Sequence, residues 1–304
     1  MSSRISAPAT DDDLFAADRE SIGRALRRLA DTQLDDVASP VADAIRYALL
    51  GGGKRFRGLL LMAAYDAAGG RGDVSDLAAT VEIVHAYSLV HDDLPCMDDD
   101  DMRRGRPTVH RVYGVAAATA AGIAMVPLAA KCARQAAASL GFDAPVARQI
   151  VAELMRASGA GGMIGGQLLD LEGEDRSLSL EELERIHRGK TGALIITAAR
   201  VGGIAAGASA SRQQALAEYG DAIGLAFQIA DDVLDVTATT DVLGKTAGRD
   251  VALGKSTYAA LLGIDGASKR AEALVQHACD ALAAADLLSP ALEQLARFIV
   301  VRRS

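Results

Sequence analysis

Apolar positions recur at helical rather than strand spacing along most of this chain. From Arg19 onward, Ile22, Leu26 and Leu29, with Gln33 a turn later, mark one face of an amphipathic helix. Ser39-Pro40 reads as a helix start, because proline is tolerated in a first turn. Val41, Ile45 and Leu49 carry that helix to Gly51-Gly52-Gly53, and the next runs through Leu59 to Ala68 before Gly69-Gly70-Arg71-Gly72. Residues 74–90 are apolar on nearly every face, except that Glu82, His85, Ser88 and the following Asp92 fall in one polar stripe. Ala144-Pro145 opens a helix reaching about Ser158, and the capping-box signal Ser179-x-x-Glu182 opens another reaching His187. The glycines of His187-Arg188-Gly189-Lys190-Thr191-Gly192 predict a kink or loosened turn that exposes backbone carbonyls. Long Ala- and Leu-rich segments without Val/Thr/Tyr alternation predict an all-α chain, large enough for one domain or two, over 18–304, preceded by a flexible leader over 1–17.

Composition changes this picture in a few places. The run 112–130 carries no charge and approaches the length of a membrane span, but it is Ala-rich and contains Gly114, Gly122 and Pro127. A buried helix, with no membrane insertion, is the expectation. The net charge of −8 argues against nucleic acid as the principal partner. Three cysteines, Cys96, Cys132 and Cys279, lack metal-ligand spacing and suit a reducing, cytoplasmic compartment. Met1 to Thr10 has no apolar core of signal-peptide type. The Gly-rich stretch from Gly159 to Gln167 lacks a nucleotide-binding fingerprint, so its glycines are expected to serve close packing.

The chemistry concentrates in His91-Asp92-Asp93-Leu94-Pro95-Cys96-Met97-Asp98-Asp99-Asp100-Asp101, with Arg103-Arg104-Gly105 just beyond. Crowded carboxylates weaken a helix and call for a cation. Histidine and cysteine are too sparse for a soft-metal cage, which leaves an oxygen-seeking ion such as Mg²⁺. The arginine pair suits a phosphate. A second cluster, Asp231-Asp232-Val233-Leu234-Asp235, sets Asp231 and Asp235 on one helical face together with Gln228 and Gly224. Lys54 and Arg57, three apart after the glycine triplet, can reach one anion.

These motifs resemble those of the trans-isoprenyl diphosphate synthases. Asp92-Asp93-Leu94-Pro95-Cys96-Met97-Asp98 is similar to the family's first aspartate-rich motif, in the form with two extra residues found in bacterial farnesyl diphosphate synthases. Asp231-Asp232-Val233-Leu234-Asp235 is similar to the second, and Gly52-Gly53-Lys54-Arg55-Phe56-Arg57 to the Gly-Gly-Lys-Arg-x-Arg motif. The resemblance implies a helical bundle of the isoprenoid synthase type around a central cavity, working as a homodimer. It implies Mg²⁺ ions on Asp92, Asp98, Asp231 and Asp235, with Asp93 and Asp232 as second choices. Arg103, Lys190 and Lys255 would then grip an allylic diphosphate, and Lys54, Arg57, His85 and Arg104 isopentenyl diphosphate. Thr191 and Gln228 would face the carbocation; Lys245 would also contact substrate.

Tyr87, five residues before Asp92, resembles the bulky ring that stops elongation at farnesyl diphosphate. The chain departs from the family at Gly122-Ile123-Ala124-Met125, where Gly-Asp-Ala-Leu is usual. Three alternatives stand beside this reading: a synthase of geranylgeranyl or another short-chain product, a class I terpene cyclase, and a non-catalytic partner subunit. A cyclase would replace the second Asp motif, and a partner subunit usually loses one cluster; both clusters are intact here.

Overall fold

The first amphipathic pattern becomes α1 (Ala16–Thr32), which buries Ile22, Ala25, Leu26 and Ala30 and leaves its charges in water. Residues 15–174, 176–237 and 256–301 are described by the computed structural model. Most of the expected leader therefore lies outside the described residues, while Phe15 already packs in the core, ahead of the expected boundary. After α2 (Val41–Leu49) and α3 (Phe56–Ala67) comes α4 (Ser75–Asp92), with buried residues around most of its circumference. A helix apolar on nearly all faces belongs inside. Accordingly α4 packs against α1, α3 and α6 (Val115–Ser139).

The second acidic cluster rides on another central helix. α7 (Ala144–Ser158) begins as its proline predicts, capped by the Asp143 side chain, which accepts from Val146 N at 2.9 Å. α8 (Met163–Glu172) and α9 (Leu180–His187) follow, the latter with the complete Ser179–Glu182 capping box. Arg188–Gly192 is a π-helical turn, the loosened turn that its glycines predict. α10 (Ala193–Ala205) is buried almost throughout between α3 and α11 (Ala210–Thr237). α11 lies along α12 (Tyr258–Ala284), and α13 (Pro290–Val301) closes that end. The fully buried Tyr219 donates its hydroxyl to Leu292 O at 2.6 Å and so ties α13 to α11.

Two features differ from the sequence expectation. The bundle is all-α as predicted, yet Met102–Arg103 (β1) and Arg106–Pro107 (β2) form a small antiparallel hairpin ahead of α5 (Val109–Tyr113). Its two-residue loop, Arg104-Gly105, has φ of 53° and 72°, the positive pair that a tight hairpin turn demands. The uncharged run also differs. α6 buries one face, including Ala118, Ala121 and Met125, while Ile123 on the other is 62% exposed. By length and composition α6 could cross a membrane, and it is half-buried rather than buried.

Candidate active site

The end of α4 sets the first acidic group. Beyond Asp92 the chain folds back, with Asp98 N donating to Asp92 O at 2.8 Å and Asp99 N to Leu94 O at 3.1 Å. Leu94 is buried and pins this loop, whereas Pro95 and Cys96 bulge into solvent. Asp98 thereby returns beside Asp92. Across a cavity of about 220 Å³ stands Asp231 of α11, and Asp92, Asp98, Asp100, Asp170, Lys190 and Gln228 also line the space. Burial, opposed by Lys190 and Arg103 but aided by Asp98 and Asp93, pushes the Asp92 carboxyl up to about 6. The acids are thus crowded where water is scarce.

Arg103 draws Asp93 away from this space. Its Nε and Nη2 donate to Asp93 Oδ1 at 2.7 and 2.6 Å, and Nη2 lies 3.4 Å from Asp100. Asp232 is likewise engaged, since its Oδ2 accepts from Tyr258 N at 2.8 Å at the start of α12. Both second-choice ligands hold protein partners. Asp235 is buried, and neither of its carboxylate oxygens has a hydrogen-bond partner among the described residues.

The π-helical turn faces the same cavity. Lys190 Nζ donates to Asp170 Oδ2 at 2.7 Å; burial opposes its charge, but Asp170, Asp92 and Asp98 outweigh that and raise its pKa. Thr191 Oγ1 donates to Gln228 Oε1 at 3.0 Å. The turn lies against α8 so closely that a Cβ at Gly166 would meet Gly189 C at 2.5 Å. The Gly-rich stretch therefore does serve close packing.

A second cavity, of about 680 Å³, gathers Lys54, Arg57, His85 and Arg104. The hairpin makes this possible: Arg103 turns towards the aspartates, while Arg104 donates to Gly52 O at 2.6 Å and lies 3.4 Å from His85 Nε2. Burial, then the charges of Arg57, Arg104, Arg103 and Arg55, holds the His85 imidazole well below its usual range. It is neutral at physiological pH. A third cavity, of about 630 Å³, is mainly apolar and runs from Asp92 past Tyr87, Ser88, Met163 and Ile164 to Ile123. Leu89 and Arg103 line both the acidic and the basic cavity, and Asp92 lines both the acidic and the apolar one. The three spaces adjoin in that order.

A polyprenyl synthetase family model matches residues 39–294. The chain belongs to the polyprenyl synthetase family. It is a short-chain trans-prenyltransferase, 46% identical to farnesyl diphosphate synthase of Escherichia coli (strain K12) over 87% of this chain and 90% of that one. Geranylgeranyl pyrophosphate synthase 9, chloroplastic, of Arabidopsis thaliana is 44% identical over 87% of this chain and 74% of that one. A geranyltransferase of Helicobacter pylori, solved in complex with magnesium and isoprenyl diphosphate, superposes with a TM-score of 0.80 at 29% identity. That match covers 97% of each chain.

Within this polyprenyl synthetase, the structure adds residues that the motif reading passed over. Asp170, the partner of Lys190, sits three residues after Gln167 on α8, a spacing that could have flagged it. Arg55 has φ of 54° at the start of α3, lies 3.7 Å from the buried Glu82, and donates to Leu49 O at 3.1 Å. Glu82 also accepts from Gly58 N at 2.9 Å, so the innermost carboxylate of the α4 stripe clamps the start of α3. Lys245 and Lys255 lie outside the described residues.

Proposed function

We propose that this prenyltransferase joins isopentenyl diphosphate to dimethylallyl and then geranyl diphosphate and releases farnesyl diphosphate. The observation that carries this reading is the contiguity of the basic, acidic and apolar cavities through Leu89, Arg103 and Asp92. A homoallylic diphosphate fits the first, a departing diphosphate the second, and a growing prenyl tail the third.

Lys54, Arg57 and Arg104 bind the diphosphate of isopentenyl diphosphate, and neutral His85 donates one N–H without adding charge. No carboxylate cluster lines that cavity, so this substrate keeps its own diphosphate. Arg103 and Lys190, with Lys255 from the sequence, hold the allylic diphosphate. The allylic carbon–oxygen bond breaks and its electron pair leaves with diphosphate. The π pair of isopentenyl diphosphate then forms the new carbon–carbon bond, and a proton departs to the released diphosphate. Because Thr191 gives its hydroxyl proton to Gln228 Oε1, its oxygen lone pairs are available to the cation.

Mg²⁺ fits the acidic cavity. Asp92, Asp98 and Asp231 line it, and the Asp92 carboxyl is raised to about 6. Asp235, one turn beyond Asp231 on α11, is buried outside that lining, with both oxygens unpartnered among the described residues. No three acidic side chains among the described residues form a ready-made cage, so phosphate oxygens of the substrate would have to complete the coordination of any ion bound there. Asp92, Asp98, Asp231 and Asp235 would hold it, and it would supply Lewis-acid stabilisation of charge on the leaving diphosphate. Asp93 and Asp232 instead orient Arg103 and α12.

The test is condensation by purified protein with Mg²⁺, isopentenyl diphosphate and C5, C10 or C15 starters. C15 should accumulate from the two shorter starters, and the C15 starter should stay unextended. Efficient C20 formation would reassign the product as geranylgeranyl diphosphate, and no condensation at all would favour a non-catalytic subunit. Tyr87, 4% exposed on the apolar cavity, serves as its floor in this reading, so Tyr87→Ala should shift the main product to C20 or longer. An unchanged product distribution would remove Tyr87 from that role. Arg57→Lys should raise KM for isopentenyl diphosphate about 10-fold or more, the worth of a charged hydrogen bond. Its KM for the allylic substrate should not move, and the reverse pattern would invert the two sites.

The reading includes a homodimer and a cytoplasmic location. The exposed apolar positions of α6, Val115 and Ile123 among them, and the free Cys96, Cys132 and Cys279 support it. Sedimentation that finds only monomer at micromolar concentration would remove the dimer.

A further inference from the structure

We propose that His91 is a positioning residue for product length: its imidazole, keyed into a glycine notch on α6, braces the Tyr87 ring that ends the apolar cavity. The inference rests on the reading of Tyr87 as the floor. On an ideal helix, Tyr87 points well to one side of the line through Asp92, so its ring must lean across to close the space below. Something has to hold it there.

His91 lies one turn beyond Tyr87 on α4, so the two rings share a face. Their centroids are 5.3 Å apart with planes at 81°, the edge-to-face arrangement that aromatic quadrupoles favour. On its far side the imidazole is fixed to α6. His91 Nε2 lies 3.2 Å from Thr119 O, and because a carbonyl only accepts, Nε2 carries the proton. At Gly122 a Cβ would overlap Nε2 and Cδ2 of this ring and lie 2.9 Å from Cε1. The ring thus occupies the space that any side chain at 122 would need. Tyr87 and His91 both line the apolar cavity, just below the Asp92 shared with the acidic one. The floor is therefore held by a chain of contacts: α6 backbone, imidazole, phenol.

The same contacts give Gly122 a role. Gly122→Ala displaces the imidazole and, through it, the phenol, whereas in a His91→Ala background the added methyl has room. The neighbouring Ile123 is 62% exposed at the cavity wall, so the notch itself depends on Gly122 and not on the residue that departs from the family pattern.

The experiment compares product distributions at equal conversion, so that a fall in total turnover does not enter. Wild type, Tyr87→Ala, His91→Ala, His91→Gln and the double variant Tyr87→Ala/His91→Ala are each supplied with Mg²⁺, isopentenyl diphosphate and geranyl diphosphate. His91→Ala should raise the C20:C15 ratio about 2- to 10-fold, the weight of one edge-to-face ring pair. His91→Gln retains a donor for Thr119 O but no ring; it should melt near wild type while keeping the longer products of His91→Ala. In the Tyr87→Ala background the second substitution should change nothing further. If Tyr87→Ala lengthens the product while His91→Ala and His91→Gln still stop at C15, this inference falls and the floor reading stands. Additive lengthening in the double variant makes His91 an independent wall and overturns the brace. If Tyr87→Ala itself leaves the product at C15, both fall together.

Discussion

Asp92→Ala is expected to lower kcat at least about 10²- to 10³-fold, the usual loss when one stabiliser of developing transition-state charge is removed. Asp92 is where the acidic and apolar cavities meet, and it ends the helix that also carries Tyr87 and His85. In the proposed reaction, truncation there removes a carboxylate that would hold Mg²⁺, while leaving α4 packed. The stability of the metal-free protein should move the other way. The carboxyl sits at about 6 instead of its ordinary 3.8, because burial first, then Asp98 and Asp93, disfavour its charge. A raised carboxyl binds more protons folded than unfolded, so its contribution to stability falls as pH rises from 3.8 to about 6 and stays unfavourable above. Without divalent cation at pH 7, Asp92→Ala should therefore melt no lower than wild type. Turnover within tenfold of wild type with Mg²⁺, or full wild-type activity in chelator, would sink the role given to Asp92.

Gly166→Ala is expected to cost both stability and turnover, against helix propensity. In an exposed helix the change would gain about 1 kcal/mol. Here the new Cβ would overlap Lys190 N and lie 2.7 Å from Lys190 Cα, which are backbone atoms that cannot swing aside. Overpacking of about 1–3 kcal/mol or more should outweigh the propensity gain. The π-helical turn must shift, and with it the Lys190–Asp170 pair and the Thr191–Gln228 hydrogen bond. A lower Tm with a reduced kcat is the expected pair of readings. Gly161→Ala, where a Cβ would meet nothing within 4 Å, is the control and should be near neutral. Equal melting temperatures for the two variants would mean that α8 and the turn can part without cost.

The stripe of Glu82, His85, Ser88 and Asp92 illustrates how far local pattern reaches. Helical spacing alone puts these residues on one side of α4, and that side does face the cavities: Glu82 and His85 line the basic one, Ser88 the apolar one, and Asp92 both the acidic and the apolar. The partners of each residue were not legible. Glu82 turned out to hold Arg55 and the start of α3, and His85 lies beside Arg104. Asp170 carries only a weak local signal, its helical spacing from Gln167, and its place at the cavity shows only once Lys190 is brought to it from another element.

The sequence by itself determined that the chain is helical and where several helices start and stop, because those signals are local: apolar spacing, the proline in the first turn of α7, the Ser179–Glu182 box and the glycines of the π-helical turn. Together with the family motifs it also marked the candidate site residues. Only the tertiary structure decided which of them lie together. The hairpin loop at Arg104-Gly105 gives consecutive arginines different partners, Asp93 for Arg103 at the edge of the acidic cavity and Gly52 O for Arg104 in the basic one, a division that neither charge nor spacing encodes. Asp93 and Asp232 look like any other member of their clusters until Arg103 and the backbone of Tyr258 claim them. Gly122 becomes a notch only when α6 is laid against His91. These contacts join residues that are distant along the chain, and side-chain periodicity, which reports on single helices, carries no information about which helix lies opposite.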